Sequence, residues 1–405
     1  MHEKRNDVLN LIDSDKQLRD FVDRCKKSSY LAIDTEFLRE KTYYAKLCLV
    51  QVATEDEIAI IDPLSISHLE VMADVLTDEN IIKIFHACHQ DVEILYHETG
   101  VVPKPIFDTQ IGASLLGKSQ QASYSSIVSS YCHVTLPKKD SYTDWSRRPL
   151  AKSQLTYAAD DVVYLPKIYH DMCALLKDKG RLHWLDDAFD DLSRKEKYEI
   201  LPCERYRKLR RVNQLTRKQL AAAREFAAWR ETRAQKRNIP RKWIVSDEQI
   251  VEACKREATT IDELYMVRGL KDSLSAPDAR AVVACIKKGL SCPEEKLPKI
   301  TSKNKNEENV DVIVSLMSAL VQLRASENRI AVQTLAPQAE LLKLARGHSE
   351  DCELAHGWRY HLVGRELQDL LDGKFSLRLD NGNLKIVYDD DLSHNESKAS
   401  RYPSK

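Results

Sequence analysis

Three short β-rich runs near the start of the chain constrain its fold more than any other feature. Leu31-Ala-Ile33, Leu47 to Ala53 and Ile58 to Ile61 are apolar and largely branched, with Thr54-Glu-Asp-Glu57 as a turn between the last two. The spacing lets the three runs form an antiparallel meander. Ile81 to Phe85 reads as another buried strand, and Ile106-Phe107 starts a fifth. Helical spacing follows at 67–77, 89–98, 108–117 and 153–176. With helices supplied between its later strands, the sheet is mixed.

From about residue 213 the pattern becomes almost wholly helical. Thr216 is placed to cap a helix carrying Leu220, Ala223, Phe226, Ala227 and Arg230. Asp247 to Lys255 and Pro277 to Lys288 read as further helices, and Pro293 and Pro298 punctuate a polar linker. A second helical block begins at Val310. Residues 239–251 lie over residues 330–342 at a constant offset of 91, which points to two copies of one small helical module. A chain of 405 residues suits two or three domains. The expected division is an α/β domain over 1–200, a connector over 201–212 and a helical domain over 213–290. A linker over 291–309, a divergent second helical domain over 310–388 and a disordered tail over 389–405 complete it.

Composition excludes several classes. The N-terminus has no apolar core of a signal sequence, and no stretch approaches the roughly 18 apolar residues of a membrane span, so a cytoplasmic protein without a membrane partner is expected. Ten cysteines stand singly, with no C-x-x-C pair, which argues against a disulfide framework. His86, Cys88 and His89 cluster, but zinc would need further ligands at a matching spacing elsewhere, and none is evident. Net charge is zero, yet Arg205 to Lys242 holds 14 Lys and Arg against two acidic residues. A basic block beside an acidic remainder is a footprint for nucleic acid, although such a run can also be a solvated helix face.

Five residues carry the chemistry. Asp34 and Glu36 are two apart at the end of the first strand, so both carboxylates leave the same face. Bare carboxylates side by side repel, and a cation relieves them. Asp91 follows the strand 81–85 at the start of a helix. Tyr157 and Asp161, four apart in a helix, share one face, whereas Asp160 is turned aside. Singly each is an ordinary surface or helix-end charge. Together, four carboxylates make an oxygen-rich site for two hard divalent cations, Mg2+ being expected and Mn2+ a substitute. Two such ions about 3.5–4 Å apart clamp a phosphodiester.

Asp34-Thr-Glu36-Phe37, the segment His86 to Asp91 and Tyr157-Ala-Ala-Asp-Asp161 resemble the three exonuclease motifs of the DEDD superfamily, tyrosine variant. The text between them is similar to the ribonuclease D family: Arg39-Glu-Lys-Thr-Tyr-Tyr44, Ile61-Asp-Pro63, Asp108-Thr-Gln110, Thr143-Asp-Trp145 and Arg148-Pro-Leu150. The resemblance spans roughly residues 30 to 180. The helical modules resemble helicase-and-RNase-D C-terminal (HRDC) domains, the first clearly and the second weakly.

The resemblance implies a ribonuclease H-like exonuclease domain followed by two small all-α HRDC-like domains. Asp34, Glu36 and Asp161 would then hold one metal, Asp34 would also hold the second, and Asp91 would act nearby. Thr35, Phe37 and His86 would meet the 3′-terminal nucleotide, although Phe37 and His86 fit equally well as core residues. Asp108 and Asp144 are expected to be a helix cap and a loop anchor. A phenol with an ordinary pKa near 10 is a poor base at neutral pH, so Tyr157 suits orienting a water. The implied activity is a 3′–5′ exoribonuclease releasing 5′-mononucleotides from RNA with single-stranded 3′ ends, tRNA precursors in particular. Its rivals are a DNA exonuclease of the same superfamily and an inactive RNA-binding scaffold. The oligomeric state is open.

Overall fold

A computed structural model describes residues 9–137, 143–299 and 309–388. The expected tail, 389–405, and residues 300–308 of the linker 291–309 lie outside the described residues. The first domain is built on a six-stranded mixed sheet: β1 (Leu9–Ile12), β2 (Tyr30–Leu38), β3 (Lys46–Ala53), β4 (Ile58–Ile61), β5 (Ile82–Phe85) and β6 (Ile106–Asp108). Its strand order is β1-β4-β3-β2-β5-β6. The meander forms as expected, with β2–β3 and β3–β4 antiparallel. The pairs β1–β4, β2–β5 and β5–β6 are parallel.

Alternation along β2 divides the molecule. Leu31 and Ile33 enter a core with Val92 and Leu95 of the helix His89–Thr99. Tyr30 and Ala32 face the other way, toward Val162 and Leu165. The carboxylates of Asp34 and Glu36 therefore leave on the face covered by the helix Lys152–Val163.

Several expectations need correction. β2 does not end at Asp34 but pairs with β3 as far as Leu38, so the D-x-E pair sits inside the strand. β1 has only four residues, and its Leu9 and Leu11 are exposed, which hid its apolar signature. The run 153–176 is two helices, Lys152–Val163 and Leu165–Asp178, because Pro166 has no N–H to continue the hydrogen-bond ladder. The stretch 67–77 holds two single turns, Leu69–Met72 and Ala73–Leu76.

The two helical modules share a backbone at the predicted offset. The helix Arg217–Arg237 ends at Asn238 with φ 48°, and its counterpart Asp311–Asn328 ends at Arg329 with φ 50°. Short helices follow at Arg241–Ile244 and Val332–Leu335, then Asp247–Lys255 and Gln338–Ala345. Where Ser246 and Gln249 form a capping box, the second module has Pro337 and no side-chain cap. Loss of such signals explains the faintness of the repeat. In the first module Gly289 lets the helix Ala276–Leu290 close on Arg217–Arg237: a Cβ there would sit 2.3 Å from the Ala222 Cα. Tyr206 and Leu209, from the stretch expected as a bare connector, are buried in this module's core.

The second module differs in two ways. It ends in a β-hairpin, β7 (Phe375–Asp380) and β8 (Asn383–Tyr388), not in helix. Asn381-Gly382, with φ 50° and 81°, is the turn signal that could have revealed it. Its interior is also continuous with the first domain: Met317, Leu320 and Leu335 share one core with Ile127, Ile168, Met172 and Leu176. Arg181 bridges the seam, donating to the Leu115 and Asn328 carbonyls at 2.9 and 2.8 Å. The Ala331 N–H reaches the Ser114 carbonyl at 2.9 Å, and Trp184 stacks on Trp358 at 4.6 Å. Gly117 (φ 88°) meets the Arg329 carbonyl where a Cβ would approach to 3.0 Å. A cavity in this module should therefore weaken the whole chain. Met317→Ala is expected to cost about 2–5 kcal/mol, read as one cooperative loss in denaturant unfolding followed at both the first domain and the module. Separate transitions would refute the shared core.

Candidate active site

Alternation on β2 and the turn of the helix Lys152–Val163 bring three carboxylates together. Asp34, Glu36 and Asp161 each offer an oxygen, all within 4.8 Å of one another. Burial comes first in raising Asp34 well above the ordinary carboxylate range, and the charges of Asp91, Asp161 and Glu36 add to it. Burial, then Asp161 and Asp91, push Glu36 up to about 8. Burial and neighbouring Asp160 take Asp161 to about 7. Among the described residues no lysine or arginine pairs with these groups, so the donor set suits hard divalent cations.

Asp91 stands outside this triad. It is buried on the helix His89–Thr99, and its carboxylate accepts from the Thr35 hydroxyl at 2.5 Å. Thr35 is on the β2 face opposite Asp34, so the contact ties that helix to the strand. Burial raises Asp91 to about 7 against the pull of the Thr35 bond. Thr35 is thus engaged within the protein, and half-buried Phe37 packs against the main core. His86 has both ring nitrogens occupied, by Thr109 Oγ1 at 2.9 Å and the Ala122 carbonyl at 3.0 Å. Burial lowers its pKa. Both ring nitrogens of His86 are thus engaged within the protein.

Tyr157 lies on the same helix as Asp161, half-buried, with its ring 5.9 Å from Trp145. Trp145 is buried with Leu49, Ile60 and Ala158. Its loop is held by Arg148, which grips both Asp62 oxygens at 2.5 and 2.6 Å and the Cys48 carbonyl at 2.9 Å. That carbonyl is available because the β2–β3 register slips at Glu36/Phe37, leaving Cys48 as an extra residue. Burial works against the Asp62 carboxylate, but Arg148 and the Leu64 N–H hold it below its ordinary range. Asp144 anchors the loop by accepting from the Ser146 N–H and hydroxyl.

Asp108 does more than cap the helix Thr109–Ser114. It also accepts from the Ala87 and Cys88 N–H groups at 3.1 and 2.9 Å. Ala87 has φ 60°, a costly backbone for a residue with a Cβ, so Asp108 steadies the turn that delivers Asp91. Arg148, Asp62 and this second task of Asp108 were not foreseen; the only sequence signal was the family-like text around them.

Much of the basic block is neutralised internally. Arg205 and Arg241 pair with the buried Glu231, Arg230 with Asp247 and Arg233 with Asp278. Lys236, Arg237 and Lys242 remain exposed beside the exposed Trp243, with no ion pair among the described residues. The same helix end docks on the catalytic domain. Asn238 Oδ1 accepts from the Tyr43 and Tyr44 N–H groups, both at 3.1 Å, and the Tyr43 hydroxyl donates to Glu231. Tyr43 belongs to the loop that leaves β2 after Asp34 and Glu36.

Comparison with known proteins accords with this geometry. A family model described as 3′–5′ exonuclease matches residues 9–177, and an HRDC domain model matches 219–286. Ribonuclease D of Sphingobium indicum is 36% identical over 381 residues, covering 93% of this chain and 98% of that protein. The chain belongs to the ribonuclease D family. Ribonuclease D of Bartonella henselae is 34% identical, over 94% of each chain. The crystal structure of Escherichia coli RNase D, described as an exoribonuclease involved in structured RNA processing, matches with a TM-score of 0.76 at 28% identity. It covers 90% of this chain and 99% of its own. Among the described residues no helix is long and apolar enough to cross a membrane.

The raised carboxyls set a pH dependence. Each binds its proton more tightly in the folded protein than in the unfolded chain, where values near 4 apply. The stability they allow in acid is therefore lost as pH rises through 7 to 8. In EDTA, the melting temperature is expected to fall between pH 5 and 8 and to recover on adding Mn2+ at pH 8. A profile unresponsive to the ion would refute the electrostatic account.

Proposed function

We propose that this member of the ribonuclease D family, a 3′–5′ exoribonuclease, trims RNAs with single-stranded 3′ ends, tRNA precursors among them, and releases 5′-mononucleotides. The observation that carries this reading is the triad Asp34, Glu36 and Asp161, crowded at cation-ligating distance with no lysine or arginine paired to it among the described residues. Asp34, Glu36 and Asp161 would hold one divalent ion, and Asp34 with nearby Asp91 the second. Mg2+ is the physiological choice and Mn2+ its substitute. Bound there, the ions would activate a water and stabilise the leaving oxygen. Tyr157, held by Trp145 on the helix face that carries Asp161, would orient that water by a hydrogen bond. Phe37 and the His86 ring would flank the terminal nucleotide. Exposed Lys236, Arg237 and Lys242 would meet phosphates of the RNA body. The ten free thiols suit a reducing cytoplasm.

Retention of all four carboxylates and Tyr157 speaks against an inactive scaffold. A DNA exonuclease is distinguished by the 2′-OH, which calls for direct comparison of substrates. End-labelled RNA and DNA of matched sequence are incubated with and without Mg2+, alongside Asp34→Ala. Metal-dependent shortening of RNA from the 3′ end, abolished by Asp34→Ala, is expected; metal-independent cleavage would refute the mechanism. Tyr157→Phe should keep metal binding and lose about 10²-fold in rate, whereas Asp161→Asn should lose both. Unchanged metal affinity in Asp161→Asn would remove that residue from the ligand set.

Docking of the first module yields a separate expectation. Asn238→Gly keeps the left-handed backbone but removes the acceptor for Tyr43 and Tyr44. The KM for a structured RNA should rise about tenfold, while turnover of a nitrophenyl ester of UMP stays at the parent level. Equal effects on both substrates would show that the seam supports the site itself.

A further inference from the structure

β3 places Gln51 directly across from Asp34, and residues paired in this way point to the same face of the sheet. That face is the one under the helix Lys152–Val163. Leu49, two residues before Gln51, packs with Trp145 and Ala158, and Ala53, two residues after, packs with Val162. On β4 the neighbour across from Gln51 is Ile60, which is fully buried. Gln51 is itself 0% exposed, and neither its Nε2 nor its Oε1 has a hydrogen-bond partner among the described residues. A carboxamide with both polar atoms unsatisfied in such surroundings costs stability, and an apolar side chain of similar size would pack there at less cost. Its one ionisable neighbour across the strand pair is Asp34.

We propose that Gln51 is a positioning residue of the metal site: when cations are held there, its Nε2 turns to donate to the Asp34 carboxylate and keeps it in the orientation that ligates them. The residue type fits the task. A carboxamide donates a hydrogen bond without adding charge, so it leaves intact the negative field that attracts the ions. Lysine or arginine at this position would compete with the cations, and glutamate would add a further repelling charge. Gln51 acts through Asp34 rather than on the phosphodiester or the water. Outer groups that orient ligating carboxylates in this manner control metal affinity. The proposal rests on the two-cation reading and extends it to a residue outside the carboxylates and Tyr157.

The test separates metal affinity from folding. Gln51→Met preserves length and approximate volume and removes both polar atoms; Gln51→Leu is a second, branched replacement. Thermal melts in EDTA and calorimetric Mn2+ titrations are compared with the parent chain. The metal-free melting temperature should hold or rise, because an unsatisfied amide has been removed. Mn2+ affinity should fall about 10–100-fold, and kcat at saturating Mn2+ should return to near the parent value. Variants that bind Mn2+ as tightly as the parent would overturn the proposal. So would variants that melt lower in EDTA, since the amide would then already be satisfied by the fold. A parent chain that binds no Mn2+ would overturn the two-cation reading, and the role of Gln51 with it.

Discussion

Mutual repulsion among buried carboxylates is the constraint on which the rest of the structure depends. Asp34, Glu36 and Asp161 lie too close and too dry to be comfortable as anions, and among the described residues no lysine or arginine pairs with them. Only a stiff surround can hold such a cluster. The stiffness comes from ordinary parts: a central strand paired on both sides, a helix pressed on each face, and core residues alternating along β2. The strain concentrated in the site is what gives it affinity for cations, so stability and function oppose each other there.

Around this cluster the remaining polar groups act as braces. Thr35 fastens Asp91 from the reverse side of the strand, and Asp108 steadies the left-handed turn at Ala87. Arg148 closes the loop that sets Trp145 against Tyr157. None of the three need touch substrate. Each fixes the direction of an element that carries a residue of the proposed site, and small displacements of such groups would be costly to rate.

The two helical modules show how one backbone takes on two roles. The first keeps its own core and meets the catalytic domain through a polar seam around Asn238 and Glu231. The second has lost its capping signals, merged its interior with the catalytic domain and acquired a hairpin. A polar seam is cheap to open and close, whereas a shared apolar core is not. The first module is therefore suited to handling a substrate and the second to holding the scaffold together.

The sequence by itself determined whatever is periodic and local. A two-residue step along a strand put Asp34 and Glu36 on one face, and a four-residue step along a helix paired Tyr157 with Asp161. The meander, the first module's caps and the offset of 91 residues were legible for the same reason. Only the tertiary structure decided which residues far apart in the chain meet: Thr35 with Asp91, Asp62 with Arg148, Arg181 with Asn328, and Gln51 across from Asp34. It also decided that the basic block is largely paired internally. Those outcomes depend on strand register and on packing between elements, and no local pattern encodes either.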